Sequence, residues 1–156
     1  MDLAKTLKID SLSRLQPSTP LVVRGDDTVS HAVALMRQER VGCVVIMNEA
    51  DGIDGIFTER DLMRRVLAPG KPLTMPVSEC MTRNPVVVHR KDSVAAAVRR
   101  MEEGGYRHLP VVDEAGRLIG VLSVKRIVHY LVEHFPTTIY NLPPDPDVVQ
   151  QEREGA

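Results

Sequence analysis

A shift of 65 residues lays the sequence on itself without a gap. Pro20-Leu21-Val22-Val23 falls on Pro85-Val86-Val87-Val88, and Asp27-Thr28-Val29 on Asp92-Ser93-Val94. Ala32-Val33 falls on Ala97-Val98, Met36 on Met101, and Glu49-Ala50 on Glu114-Ala115. Gly55-Ile56-Phe57-Thr58 falls on Gly120-Val121-Leu122-Ser123. The register holds from about Leu12 to Leu67 against Val77 to Val132. Chance does not keep Gly, Pro and Asp in one register over such a stretch. The chain is therefore two copies of one unit, with a short link from Pro69 to Pro76. A unit of about 55 residues buries little surface by itself, so the copies are expected to share a core.

Each copy predicts the same elements. A brief strand follows a proline, at Leu21 to Val23 or Val86 to Val88. Asp27 or Asp92, with the hydroxyl after it, marks a helix N-cap region. Val29, Ala32, Val33 and Met36, like Val94, Ala97, Val98 and Met101, recur at helical spacing. Gly42 is expected to end the first helix and Gly104-Gly105 the second. Val44 to Met47 and Leu109 to Val112 read as buried strands. Turns follow at Glu49 to Gly52 and Asp113 to Arg117. Then come strands at Ile53 to Phe57 and Leu118 to Leu122, and last helices at Glu59 to Leu67 and Val124 to Glu133.

Composition narrows the function. Twenty Lys and Arg against 21 Asp and Glu give a net charge of -1, which argues against a nucleic-acid binder working by general charge. The five aromatics offer few stacking platforms for bases. Cys43 and Cys80 stand too far apart in sequence for a zinc pair, and both read as packing residues of a chain kept reduced. His31, His89, His108, His129 and His134 have no metal-ligand spacing. No apolar run approaches the roughly 20 residues of a membrane span, and no signal peptide is visible, so a cytoplasmic location is expected. No phosphate-binding glycine loop and no nucleophile constellation stands out, so no enzyme is expected and no cofactor either.

Gly55-Ile56-Phe57-Thr58-Glu59-Arg60-Asp61 carries Gly, a hydrophobic residue, Thr three residues after the Gly, and Asp three residues after the Thr. With Arg107-His108-Leu109-Pro110-Val111-Val112-Asp113 and Asp92-Ser93-Val94, it resembles the CBS domain, named after cystathionine beta-synthase, in its tandem form. The likeness covers 12–68 and 77–133, leaving a Pro-rich tail over 134–156. It implies an α+β fold of two β-α-β-β-α units in a pseudo-twofold arrangement. It also implies a non-catalytic regulatory module whose ligand contains adenosine: AMP, ADP, ATP or S-adenosylmethionine. Such pairs often join into a flat four-domain disc, and the likeness covers most of the sequence, so the protein it controls is expected to be a separate chain.

Two sites follow from the two signatures. Thr58 stands at a strand end before a helix, where backbone N–H groups favour an anion. Asp61 can accept from two ribose hydroxyls, and Arg60 can supply charge to a phosphate if it turns inward. The residues alone favour a plainer reading, Thr58 as N-cap with Asp61 at N3. The repeat and the resemblance tip the balance to ligand binding. In the second copy Ser123 keeps the hydroxyl, but Arg126 replaces the aspartate and has no acceptor for ribose. It reads as a surface or inter-repeat residue beside an empty or altered site. Arg107 and His108 are candidates for phosphate contact, against a salt bridge and a hydrogen-bonded histidine. Their counterparts Gly42 and Cys43 are small enough to let a base approach the backbone. Val22, Val44, Ile46 and Val111 would form the apolar wall and serve equally as core.

Leu62, Val66, Ile127 and Leu131 form apolar faces on the last helices, from which a homodimer is expected. The tail holds Phe135, Ile139, Tyr140 and Leu142, and is expected to dock through Leu142 and to be disordered toward its acidic end. The competing functions are a ligand-free dimerisation scaffold and, with less support, RNA binding.

Overall fold

The computed structural model describes residues 2–135. Helix α1 (Leu3–Ile9) starts at Asp2, whose side chain accepts from the Ala4 N–H, and a 3-10 turn (Leu12–Leu15) follows. The first repeat runs β1 (Val22–Val23), α2 (Val29–Glu39), β2 (Cys43–Met47), β3 (Ile53–Thr58) and a helical turn α3 (Glu59–Asp61). That turn continues as a π-wound stretch, Leu62–Leu67. A 3-10 turn (Val77–Glu79) and a short strand β4 (Thr82–Arg83) follow the link. The second repeat runs β5 (Val88–His89), α4 (Val94–Gly104), β6 (His108–Val112), β7 (Leu118–Ser123) and α5 (Val124–His134).

The expected order of elements is present in both copies, and the local chemistry explains their ends. Thr28 and Ser93 are the N-caps, accepting from the His31 and Ala96 N–H groups at 3.1 Å. The preceding aspartates instead close the turn before the helix. Asp27 accepts from the Arg24 N–H and Asp92 from the His89 N–H. Helix α4 ends at Gly105 in the left-handed region, as expected. Helix α2 does not run to Gly42. Arg40 takes the left-handed cap, with φ 54°, and its N–H closes on the Met36 carbonyl. Strand β5 also begins later than expected, at Val88.

The sheets are β1-β2-β3-β4 and β5-β6-β7. In each, the first pair is parallel and the second antiparallel. Strand β2 is buried on both faces, which is why it reads as an unbroken apolar run. Val44 and Ile46 face the first core, while Cys43, Val45 and Met47 join Ile56 and Val121 in a layer between the repeats.

The leading segment of each repeat packs on the other repeat. Leu12 and Leu15 are buried with Val88, Val94, Leu109 and Leu122 in the second core. Their counterparts Val77 and Cys80 are buried with Val29, Val44 and Phe57 in the first. The backbone repeats the exchange. The Leu12 N–H donates to the Asp92 carbonyl at 2.9 Å, and the Val77 N–H to the Asp27 carbonyl at 2.8 Å. Each exchanged segment crosses the strand that carries the signature glycine. A Cβ on Gly55 would lie 2.8 Å from the Thr82 carbonyl oxygen, and one on Gly120 2.8 Å from Pro17 Cβ. Glycine is required there for close approach.

The apolar patch expected to form a dimer is used inside the chain. Val66 and Ile127 are buried in the two cores, and Leu62 and Leu131 pack against those cores. Helical periodicity shows that a face is apolar but not what covers it. The exposed apolar residues on these helices are Met63, Leu67, Val124 and Val128. Among the described residues no helix is long and apolar enough to cross a membrane. Phe135 is buried in the second core. The expected docking through Leu142, with Ile139 and Tyr140, lies outside the described residues.

Candidate functional site

The first signature lies where β3 turns into α3. Thr58 Oγ1 caps the Asp61 N–H at 3.2 Å, and Asp61 Oδ2 accepts from the Thr58 N–H at 3.0 Å and from Thr58 Oγ1 at 3.1 Å. The capping box is thus formed. The other oxygen, Oδ1, accepts from Thr82 Oγ1 at 3.1 Å and lies 3.5 Å from Arg65 Nε. Asp61 is buried, and Arg65 also donates to the Met81 carbonyl at 2.7 Å. The carboxylate is therefore both the cap of its own helix and a clasp on β4.

The pseudo-twofold sets each signature against the opposite repeat. Thr58, Glu59, Arg60 and Asp61 line a cleft of about 600 Å³ with residues 82–86 and 104–109. Ser123, Lys125 and Arg126 line a second cleft, of about 380 Å³, with Ser18, Thr19, Leu21 and residues 40–43. Thr58, Arg60, Asp61, Arg107 and His108 thus meet in the first cleft. Gly42 and Cys43 do not join them; they line the second cleft with Ser123 and Arg126, and His108 borders both. Val22 is exposed and Val44 fully buried, and neither lines a cleft. Arg64, Arg65, Arg83, Asn84 and Tyr106 also line the first cleft. The 65-residue register could have found Arg83 and Asn84, because they align with Ser18 and Thr19 of the second.

Arg60 reaches across the first cleft and donates to the Gly105 carbonyl at 3.0 Å, at the negative end of α4. The His108 ring sits against Gly42, where a Cβ would come within 3.0 Å of Nε2. Burial lowers the His108 pKa, with Glu59 pulling it up and Arg107 pushing it down, so the ring is neutral at physiological pH. Burial pushes the Cys43 thiol up to about 12, helped by Glu59. It is a packing group rather than a nucleophile or metal ligand.

The CBS domain family model matches residues 12–68 and 77–133. An uncharacterized protein of Methanopyrus kandleri is 40% identical over 101 residues, covering 62% of this chain and 52% of that protein. A CBS domain-containing protein of Arabidopsis thaliana is 33% identical over 76% of this chain, and the match spans 22% of that protein. The chain thus spans about half the length of the first relative and about a fifth of the second. A solved CBS domain protein of Pyrobaculum aerophilum, complexed with AMP, superposes with a TM-score of 0.71 at 25% identity, over 80% of this chain and 99% of that one. The repeat, the exchanged segments and the family match over both copies lead to one assignment: the chain belongs to the CBS domain family, as a tandem pair.

Proposed function

We propose that this chain is a non-catalytic regulatory module that binds one adenosine-containing ligand in its first cleft and signals its occupancy to another protein. The observation that carries the reading is the buried Asp61 carboxylate, present in the larger cleft and replaced by Arg126 in the smaller. A ribose would take Asp61 Oδ1 in exchange for the Thr82 hydroxyl or the Arg65 guanidinium. Arg64, Arg83 and Arg107 line the same cleft and suit phosphate oxygens. The Pyrobaculum relative complexed with AMP supports the ligand class. Freeing Thr82 from Asp61 would loosen β4, so ligand and inter-repeat geometry are coupled through differential binding.

Calorimetry with AMP, ATP and S-adenosylmethionine tests the reading. One site per chain is expected, and Asp61→Ala should weaken it by about 1.5–3 kcal/mol, the worth of a hydrogen bond to a charged group. That is about ten- to a hundredfold in affinity. Unchanged affinity in the variant would displace the ligand from this cleft. The completed capping box favours a second reading, a scaffold without ligand. It predicts no rise in melting temperature with any of the three compounds.

A further inference from the structure

Two neighbouring side chains of the first signature cross to the other repeat. Asp61 accepts from Thr82 of β4, and Arg60 donates to the Gly105 carbonyl at the end of α4, 45 positions away in sequence. Asp61 is buried, whereas Arg60 and Gly105 are exposed, so the arginine tie lies at the solvent-facing rim and the carboxylate lies deeper. Arg60, Asp61, Gly105 and Tyr106 all line the first cleft.

Both anchors of this tie are fixed by their own backbones. At one end Arg60 stands inside the capping box closed by Thr58 and Asp61. At the other, the Gly105 N–H donates to the Glu102 carbonyl at 3.4 Å and the Tyr106 N–H to the Met101 carbonyl at 3.0 Å. This is a Schellman turn, with Gly105 at φ 67°. The Tyr106 ring covers Gly104 so closely that a Cβ there would clash. The turn leaves the Gly105 carbonyl outside the helix ladder at the negative end of α4, where a guanidinium is a suitable donor. The second cleft has no counterpart. Lys125 stands in the place of Arg60 and Arg40 in the place of Gly105, and no hydrogen bond joins them among the described residues. The tie therefore belongs to the first cleft and not to the repeat as such.

We infer that the Arg60 side chain is a strap over the first cleft, which controls access to the Asp61 carboxylate by holding and releasing the Gly105 carbonyl. That an adenosine-containing ligand is what enters rests on the function proposed above; the strap rests on the tie alone. Release breaks one exposed hydrogen bond, a small cost that thermal motion meets. Such a strap slows entry by about two- to tenfold and does not block it.

The chain has no Trp, so Tyr106→Trp places a single fluorophore in the cleft wall next to Gly105. On this background the parent is compared with Arg60→Met, which keeps much of the arm's length and removes its donors. Acrylamide quenching, measured with no ligand added, should rise by about twofold or more in Arg60→Met, as the strap is lost. Stopped-flow fluorescence with adenosine should show association faster by about two- to tenfold and dissociation unchanged. Adenosine is uncharged, so loss of the guanidinium removes the strap without removing an attraction for phosphate. Lys125→Met, at the matching position of the second cleft, should change neither measurement. Unchanged quenching in Arg60→Met, the same rise in Lys125→Met, or adenosine that binds but associates no faster would overturn the strap. Raised quenching with no adenosine binding to either protein would uphold the strap and remove the ligand reading of the cleft instead.

Discussion

At the scale of single residues, a buried pair ties distant parts of the chain together. The Tyr130 hydroxyl donates to Asp10 Oδ2 across 120 positions of sequence, and Arg14 meets Oδ1 at 3.1 Å. The Tyr130 hydroxyl, then the Arg14 charge, hold the Asp10 carboxyl below its ordinary value against the opposing effect of burial. Burial and the Asp10 hydrogen bond push Tyr130 up to about 12. The two pH limits follow by linkage. A depressed carboxyl stabilises the fold above its unfolded pKa and loses that contribution as pH falls through the folded one. A raised phenol stabilises below its unfolded pKa, near 10, and loses that contribution as pH rises toward 12. Tyr130→Phe should cost about 1–3 kcal/mol in urea unfolding, because it removes a donor from a buried carboxylate. The same variant should flatten both the acid and the alkaline arms of the stability profile.

At the scale of elements, the exchanged segments decide which parts stand or fall together. Leu12 opens the first repeat in sequence, yet it is fully buried in the second core. Leu12→Ala should cost about 2–5 kcal/mol, the usual range for a buried leucine. Amide exchange should rise first in α4, β6 and α5, not in the neighbouring α2. Loss of protection centred on the first repeat would contradict the exchange. The helices after the signatures also differ. The first is π-wound after Asp61, with the Ala68 N–H closing on the Met63 carbonyl at 2.9 Å, whereas α5 is α-helical throughout. Apolar spacing predicts a helix over both and does not register the added residue per turn.

At the scale of the whole molecule, a pseudo-twofold displays one apolar face twice. Met63 and Val128 occupy the same position of the repeat and are 59% and 52% exposed, with Leu67 beside Met63 at 49%. A second copy of the chain is the partner we expect on this face, since a self-complementary patch is the common route to a C2 dimer. Light scattering at micromolar concentration should give a dimer mass for the wild type. It should give a monomer mass for Met63→Glu with Val128→Glu. Met63 lines the first cleft and Val128 lines neither, so Val128→Glu alone should leave ligand binding in the first cleft intact.

The repeat, the order of elements and the helix caps were legible in the chain because each rests on neighbours in sequence. Pro20 and Pro85, Thr28 and Ser93, Gly104 and Gly105 act within a turn or two of themselves. The signature Thr58 to Asp61 was legible for the same reason, as a capping box and as a candidate site. What surrounds it was not. Gly42 and Cys43 were expected beside Asp61, and the pseudo-twofold sends them to the other cleft with Arg126. The capture of Asp61 by Thr82, the hold of Gly105 on Arg60 and the burial of Leu12 with Val94 all join residues from opposite repeats. Sequence shows that two similar units are expected to share a core, because neither buries enough surface by itself. Which strand each segment crosses, and which side chains then meet, depends on how the two units pack, and only the tertiary structure decides that.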